Sequence, residues 1–335
     1  MTNKHIKLYL AGLYKQLVWN TTRINNNRSE KDIFILTSRR SGSTWFAEVL
    51  STNKGNKLVD QPLSVYRLGL GDYASIPIME SGQFISLSHD EQLMLKKYVQ
   101  EILTGERHVN EPWKFWEPTF SFNINRHVLK ITDASSLIDW FSREFDAHMI
   151  YLLRHPIPQA ISCIDRKWSL TSKAYLMNKY FIENHLKNGL EDYSWDIWNK
   201  GTKLQNFVLN WVFENLIPLK KIESLKNCHM FNYEENVLFP LKTIDILISK
   251  LHLSDAELLQ NRFYKPSKNM DSGTKAFNRL ENINNADEFK FMIERWRKRV
   301  DNKEEKKVMK ILERFELDVY EAGKLIANKK YCNFK

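Results

Sequence analysis

Three short apolar runs, each ending in a turn that opens onto a helical pattern, constrain this chain more than any other feature. The first, "IFILT" at 33–37, is followed by Arg39 and Arg40, by the turn Ser41-Gly42-Ser43-Thr44, and by a segment 45–51 with Phe46, Val49 and Leu50 on one face. The second, "HVLKITD" at 127–133, runs into "ASSLIDWFSREF". The third, "AHMIYLLRHP" at 147–156, passes into the helical stretch "PQAISCIDRKW". Runs without polar alternation are buried on both faces, and their alternation with helices joins them in parallel. The expected fold class is therefore α/β, a P-loop-like doubly wound parallel sheet flanked by helices. It forms a single domain over 32–325, preceded by an N-terminal helix and a polar linker over 1–31.

A chain of 335 residues buries a sizeable core without a domain split. Beyond residue 170 the pattern is mostly helical, with a long amphipathic stretch at 203–224 and a further strand expected within "CHMFNYEE" at 228–235. Segment 64–126, rich in Trp, Phe and Pro, is expected to form irregular loops over a site. The 50 Lys and Arg against 40 Asp and Glu leave a formal charge of +10. That balance favours anionic ligands without choosing among nucleotides, nucleic acid, anionic lipid and acidic polymers. Cys163, Cys228 and Cys332 show neither disulfide nor zinc spacing, which suits a reducing, cytoplasmic setting. No run of about 18 apolar residues is present. The first 19 residues place Ile6, Leu10, Leu13 and Leu17 among Lys4, Lys7 and Lys15. They predict an amphipathic helix packed on the domain, with weak peripheral contact to an anionic membrane as the other reading.

The turn at 39–45 is built for an anion. Backbone N–H groups at a helix start point outward, the helix dipole is positive there, and Gly42 admits a close approach. Hydroxyls come from Ser41, Ser43 and Thr44, and charge from Arg39 and Arg40. A Walker P-loop does not fit, since no earlier glycine is present and Ser43 stands where the lysine belongs. A strand–turn–helix with incidental arginines remains the plainer reading of this stretch alone. In the third unit Arg154 ends a strand and Ser162 lies on the following helix, suited to hold a second phosphate. Two anion sites on one sheet imply a ligand with phosphates at both ends.

These two stretches resemble the nucleotide motifs of sulfotransferases that use 3′-phosphoadenosine-5′-phosphosulfate (PAPS). The family's 5′-phosphosulfate loop reads roughly [RK]-[ST]-G-[ST]-[ST]-W/L, and Arg40-Ser41-Gly42-Ser43-Thr44-Trp45 matches it throughout. Its 3′-phosphate motif reads roughly R-[DN]-P-x5-S, which Arg154-His155-Pro156 and Ser162 match except at His155. Weaker similarities lie around Lys130, around Tyr233-Glu234-Glu235, and in "ERWRKRVDNKEEKKVMKILERFELDVY". The resemblance implies PAPS as donor co-substrate, no metal, and donor binding by Arg39, Arg40, Ser41, Gly42, Ser43, Thr44, Trp45, Arg154 and Ser162. It implies charge stabilisation of the leaving phosphate by Arg40, and a lysine near the sulfuryl group at Lys130, for which a solvated strand-end lysine is the alternative. Arg39 reads equally as solvated surface charge.

The cytosolic small-molecule enzymes carry a K-T-H motif, whereas here Lys130 is followed by Ile131 and Thr132. Relatives acting on protein tyrosine and glycans use a carboxylate about 20 residues beyond the phosphosulfate loop, which points to Asp60, otherwise a cap or turn former. Glu80 and Glu48 are poorer candidates. Glu234 is read as fold support, and Ser267, Lys268 and Lys275 as weak 3′-phosphate candidates. The expected acceptor is a hydroxyl of a carbohydrate or glycolipid, with peptide tyrosine behind it. A nucleotide- or nucleic-acid-binding protein without catalysis, and a kinase-type P-loop enzyme, are the competing readings; nucleic acid is not an expected partner.

Overall fold

Residues 3–79, 82–109, 112–267 and 286–331 are described by the computed structural model. Strand β1 (Arg23–Ile24) pairs in parallel with β4 (Asn123–Ile124) as a small ladder at the edge of the molecule. The main sheet contains β2 (Ile33–Thr37), β3 (Asn56–Asp60), β5 (Arg126–Ile131), β6 (His148–Leu153) and β7 (Cys228–Asn232). All its pairings are parallel and the spatial order is β3-β5-β2-β6-β7. In β2 the period-2 pleat sends Phe34 and Leu36 into one apolar layer and Ile33 and Ile35 into the other. Helices 89–104, 138–144, 156–165, 203–221 and 302–314 cover the first face, and helices 43–50, 240–251 and 256–263 the second. That is the doubly wound arrangement expected, and the strand order reverses at β2.

Element ends differ from the sequence reading for identifiable reasons. Strand β6 stops at Leu153 because Pro156 opens a helix, Pro156–Asp165, whose first position tolerates a missing N–H. Strand β7 stops at Asn232, and Tyr233–Leu238 is a helix instead of continued strand. Asp60, whose plainer reading is a cap or turn former, ends edge strand β3 (56–60), in which only Asn56 and Val59 are buried. An edge strand needs no continuous apolar run. Segment 64–126 is not wholly irregular: Ser88 and Glu91 form a capping box, and helix His89–Thr104 buries Leu95, Tyr98, Val99 and Ile102. The supposed linker is anchored by the β1–β4 ladder and by an Arg28–Asp32 ion pair at 2.8 Å.

Candidate active site

The turns after β2, β3, β5 and β6 all leave the carboxyl edge of the sheet, around the switch point at β2. In open α/β sheets that crevice is where ligands sit.

After β2 the chain takes a strained path. Arg40 has φ 64°, a left-handed conformation that costs a non-glycine residue about 1 kcal/mol or more and clusters at functional turns. Gly42 follows with φ 92°, directly before helix Ser43–Leu50, whose first bond is Phe46 N–H to Gly42 O at 3.2 Å. A Cβ on Gly42 would lie 2.5 Å from the Tyr233 ring, so glycine is required both by conformation and by space. The adjacent arginines part company. Arg39 turns inward to a 3.0 Å ion pair with buried Glu214, and donates to Ser169 O (3.1 Å) and Thr171 Oγ1 (3.2 Å). It is neither solvated nor aimed at the crevice, and burial beside Glu214 uses its charge internally. Arg40 turns toward β6, where its Nε donates to Ser162 Oγ at 3.0 Å.

The hydroxyls also divide. Ser41 is fully buried, with its Oγ 2.5 Å from Thr37 Oγ1, so its side chain braces the turn. Ser43 is buried at the helix start. Thr44 Oγ1 accepts from Lys130 Nζ at 2.9 Å. Trp45 donates Nε1–H to Phe263 O (3.2 Å) and meets Tyr233 and Phe263 edge-on.

The turn after β6 closes the other half. Arg154 donates Nη1–H to Arg40 O at 3.0 Å, and its guanidinium lies 4.5 Å over the Tyr233 ring. Its Nε is buried with no partner, an orphan donor that a bound anion would satisfy. Among the described residues no carboxylate pairs with Arg40 or Arg154. Burial lowers the Arg40 pKa, and Arg166 and Arg154 lower it further by like-charge repulsion. His155, the departure from the family motif, caps the next helix: its Nδ1 accepts from Ile157 N–H at 3.3 Å. Full burial pushes its pKa down to about 3, so it is a neutral acceptor stacked on Trp296. Glu234 supports this turn as expected, accepting from His155 N–H and Tyr320 O–H, both at 3.0 Å.

On the β3–β5 side, Asp60 and Lys130 are register partners, and their side chains meet at 2.6 Å. The second Asp60 oxygen pairs with Arg67. Lys130 is buried, which lowers its pKa, and Asp60 acts against that shift. Gln61 at the strand exit has φ 56° and hydrogen-bonds Thr132 Oγ1. Sequence reasoning missed Asp133. It follows β5, burial pushes its carboxyl up to about 6, and its Oδ2 has no partner. Its signal was a carboxylate directly after a buried strand that already carried Lys130. Glu48 pairs with Arg262. Ser267 is half-buried beyond helix Ala256–Phe263, while Glu80, Lys268 and Lys275 lie outside the described residues. A cavity of about 380 Å³ lined by Ser88, Gln92, Trp140 and Lys221 shares no residue with these turns.

No protein-family model and no curated relative matches the sequence. Solved structures similar over most of the chain include three sulfotransferases. The mouse sulfotransferase SULT7A1 complexed with PAP is 13% identical, covers 90% of this chain and 89% of its own, and has a TM-score of 0.40. The sulfotransferase domain from the curacin biosynthetic pathway is 14% identical, with 87% and 99% covered and a TM-score of 0.42. The sulfotransferase domain from the Synechococcus PCC 7002 olefin synthase is 18% identical, with 89% and 99% covered and a TM-score of 0.40. Likenesses this shallow assign no residue a role.

Proposed function

We propose that this protein is a sulfotransferase that moves a sulfuryl group from PAPS to a hydroxyl, with a carbohydrate or glycolipid as acceptor. One observation carries the reading. Two motifs about 110 residues apart interlock across neighbouring strands, Arg40 on Ser162 and Arg154 on the Arg40 carbonyl, and bring together two cations that no carboxylate among the described residues pairs with. Phosphate groups answer that arrangement, since the arginine fork matches their oxygens. The orphan Arg154 Nε fits a 3′-phosphate; the Gly42–Thr44 backbone at the helix start fits the 5′ end.

Bound there, PAPS supplies an activated sulfuryl group and a phosphate as leaving group. Arg40 stays protonated and stabilises the charge that develops on the bridging oxygen. Thr44 and Lys130, joined at 2.9 Å, point a second cation toward the same turn. Asp60 takes the acceptor proton; in the resting site it is held by Lys130 and Arg67, so the acceptor hydroxyl has to share that carboxylate. Asp133, just after β5 with an unpartnered Oδ2 and a carboxyl raised to about 6, is the competing base. Arg39 positions the turn through Glu214.

The reading is tested by calorimetry with adenosine 3′,5′-bisphosphate against adenosine 5′-diphosphate. Tight binding of the first and weak binding of the second is expected; equal affinity would refute a 3′-phosphate site. An acceptor array with labelled donor then identifies the hydroxyl.

A further inference from the structure

The helix Asn3–Thr21 hides only part of its apolar surface. Val18 is buried against Trp113 and Ile124, with Tyr14 packed alongside. Ile6, Leu10, Leu13 and Leu17, spaced i, i+4, i+7 and i+11, are 43–62% exposed, and Tyr9 beside them is 66% exposed. Together they form an outward stripe about 100° wide, the width of a face that normally meets a core. The stripe continues onto the loop 113–122. The Tyr14 hydroxyl donates to Trp113 O (3.2 Å) and accepts from Phe115 N–H (3.3 Å), and its ring lies 5.8 Å from both Phe115 and Trp116. Phe115, Trp116 and Phe122 are each about 60% exposed. Scattered exposed apolar residues are ordinary, but a contiguous patch spanning a helix and a loop marks a contact surface.

Lysines predominate among the charges around it. Residues 3–21 contain no acidic residue, while Lys4, Lys7 and Lys15 flank the stripe in sequence; the loop adds exposed Lys114 against Glu117. A second copy of the chain would bring these lysines against one another. An anionic lipid surface complements them, and Trp, Tyr and Phe are the side chains that sit at headgroup depth. No helix among the described residues is long and apolar enough to cross a membrane. We propose that this patch docks in the plane of a membrane interface that carries anionic lipid. Thr119 O and Asn125 N tie the loop to Gly55, just before β3, so the patch lies at the amino-terminal edge of the sheet. Docking therefore leaves the carboxyl-edge crevice facing away from the lipid.

Flotation of the full chain tests this, using vesicles of phosphatidylcholine alone and of phosphatidylcholine with phosphatidylglycerol. The protein is expected to float with the second, less so as salt rises. Leu10→Ser combined with Leu13→Ser should abolish flotation, while Lys7→Gln and Lys15→Gln should each weaken it on the order of fivefold and leave the melting temperature unchanged. Failure to float with anionic vesicles overturns the proposal. So does flotation indifferent to all these changes, or a dimer in sedimentation that the double leucine substitution dissolves.

Discussion

The two sides of the crevice treat their charges in opposite ways. On the β3–β5 side the two cations at the crevice share one acid: Lys130 and Arg67 both pair with Asp60. On the β2–β6 side Arg40 and Arg154 face each other with no ion-pair partner among the described residues, Glu234 acting on Arg154 only at longer range, although Arg39, a single residue away, is neutralised by Glu214. A folded chain tolerates uncompensated, partly buried cations only when other forces hold them, here the Arg40 backbone carbonyl, Ser162 and the Tyr233 ring. The difference teaches which half is prepared for an outside anion and which half has to surrender an internal contact when substrate arrives.

The comparison breaks most sharply at Arg39. Arg39→Ala strands a buried Glu214, so chemical denaturation should report a loss of about 3–5 kcal/mol; an unaffected midpoint would remove the neutralised interior from the picture. Arg40→Ala should lower turnover of labelled donor by on the order of 10²–10³ while leaving the melting temperature unchanged or higher, since it relieves repulsion. Arg40→Lys should restore part of that turnover. Asp60→Asn should spare donor affinity in calorimetry and reduce turnover by roughly 10²-fold. If turnover survives in Asp60→Asn, the pH profile decides. A base with the Asp133 carboxyl's pKa of about 6 works only when deprotonated, so turnover would fall as pH drops through about 6 and Asp133→Asn would erase that limb. Arg154→Ala should weaken adenosine 3′,5′-bisphosphate binding by roughly tenfold or more. Ser162→Ala should act in the same direction by a few-fold, in keeping with one neutral hydrogen bond.

What the sequence made legible follows the same division. Strands β2, β5 and β6 are buried on both faces, and such strands announce themselves as apolar runs. Edge strand β3 is not, and Asp60 therefore looked like a loop residue. The anion turn was readable because backbone conformation and small side chains are local properties of Arg40 to Thr44. Arg39 was not, because its role depends on Glu214 and Thr171, 175 and 132 positions away, and Asp133 was not, because its raised carboxyl depends on burial. His155 broke the family motif on paper; its place is intelligible only with Trp296, Tyr320 and Glu234 packed around it.

That last cluster has a consequence for the order in which the molecule can be made. His155 and Glu234 are completed by Tyr320, and Asn232 donates to Tyr331 O at 2.9 Å. The 165 positions from His155 to Tyr320 (320 − 155) take roughly 8 to 33 s to synthesise at about 5–20 residues per second. Through that interval the residues of β2 and β6 have been synthesised, but the Arg154 turn lacks its final support. A ribosome paused before residue 320 would carry a chain with most of its strand residues synthesised and no finished phosphate clamp.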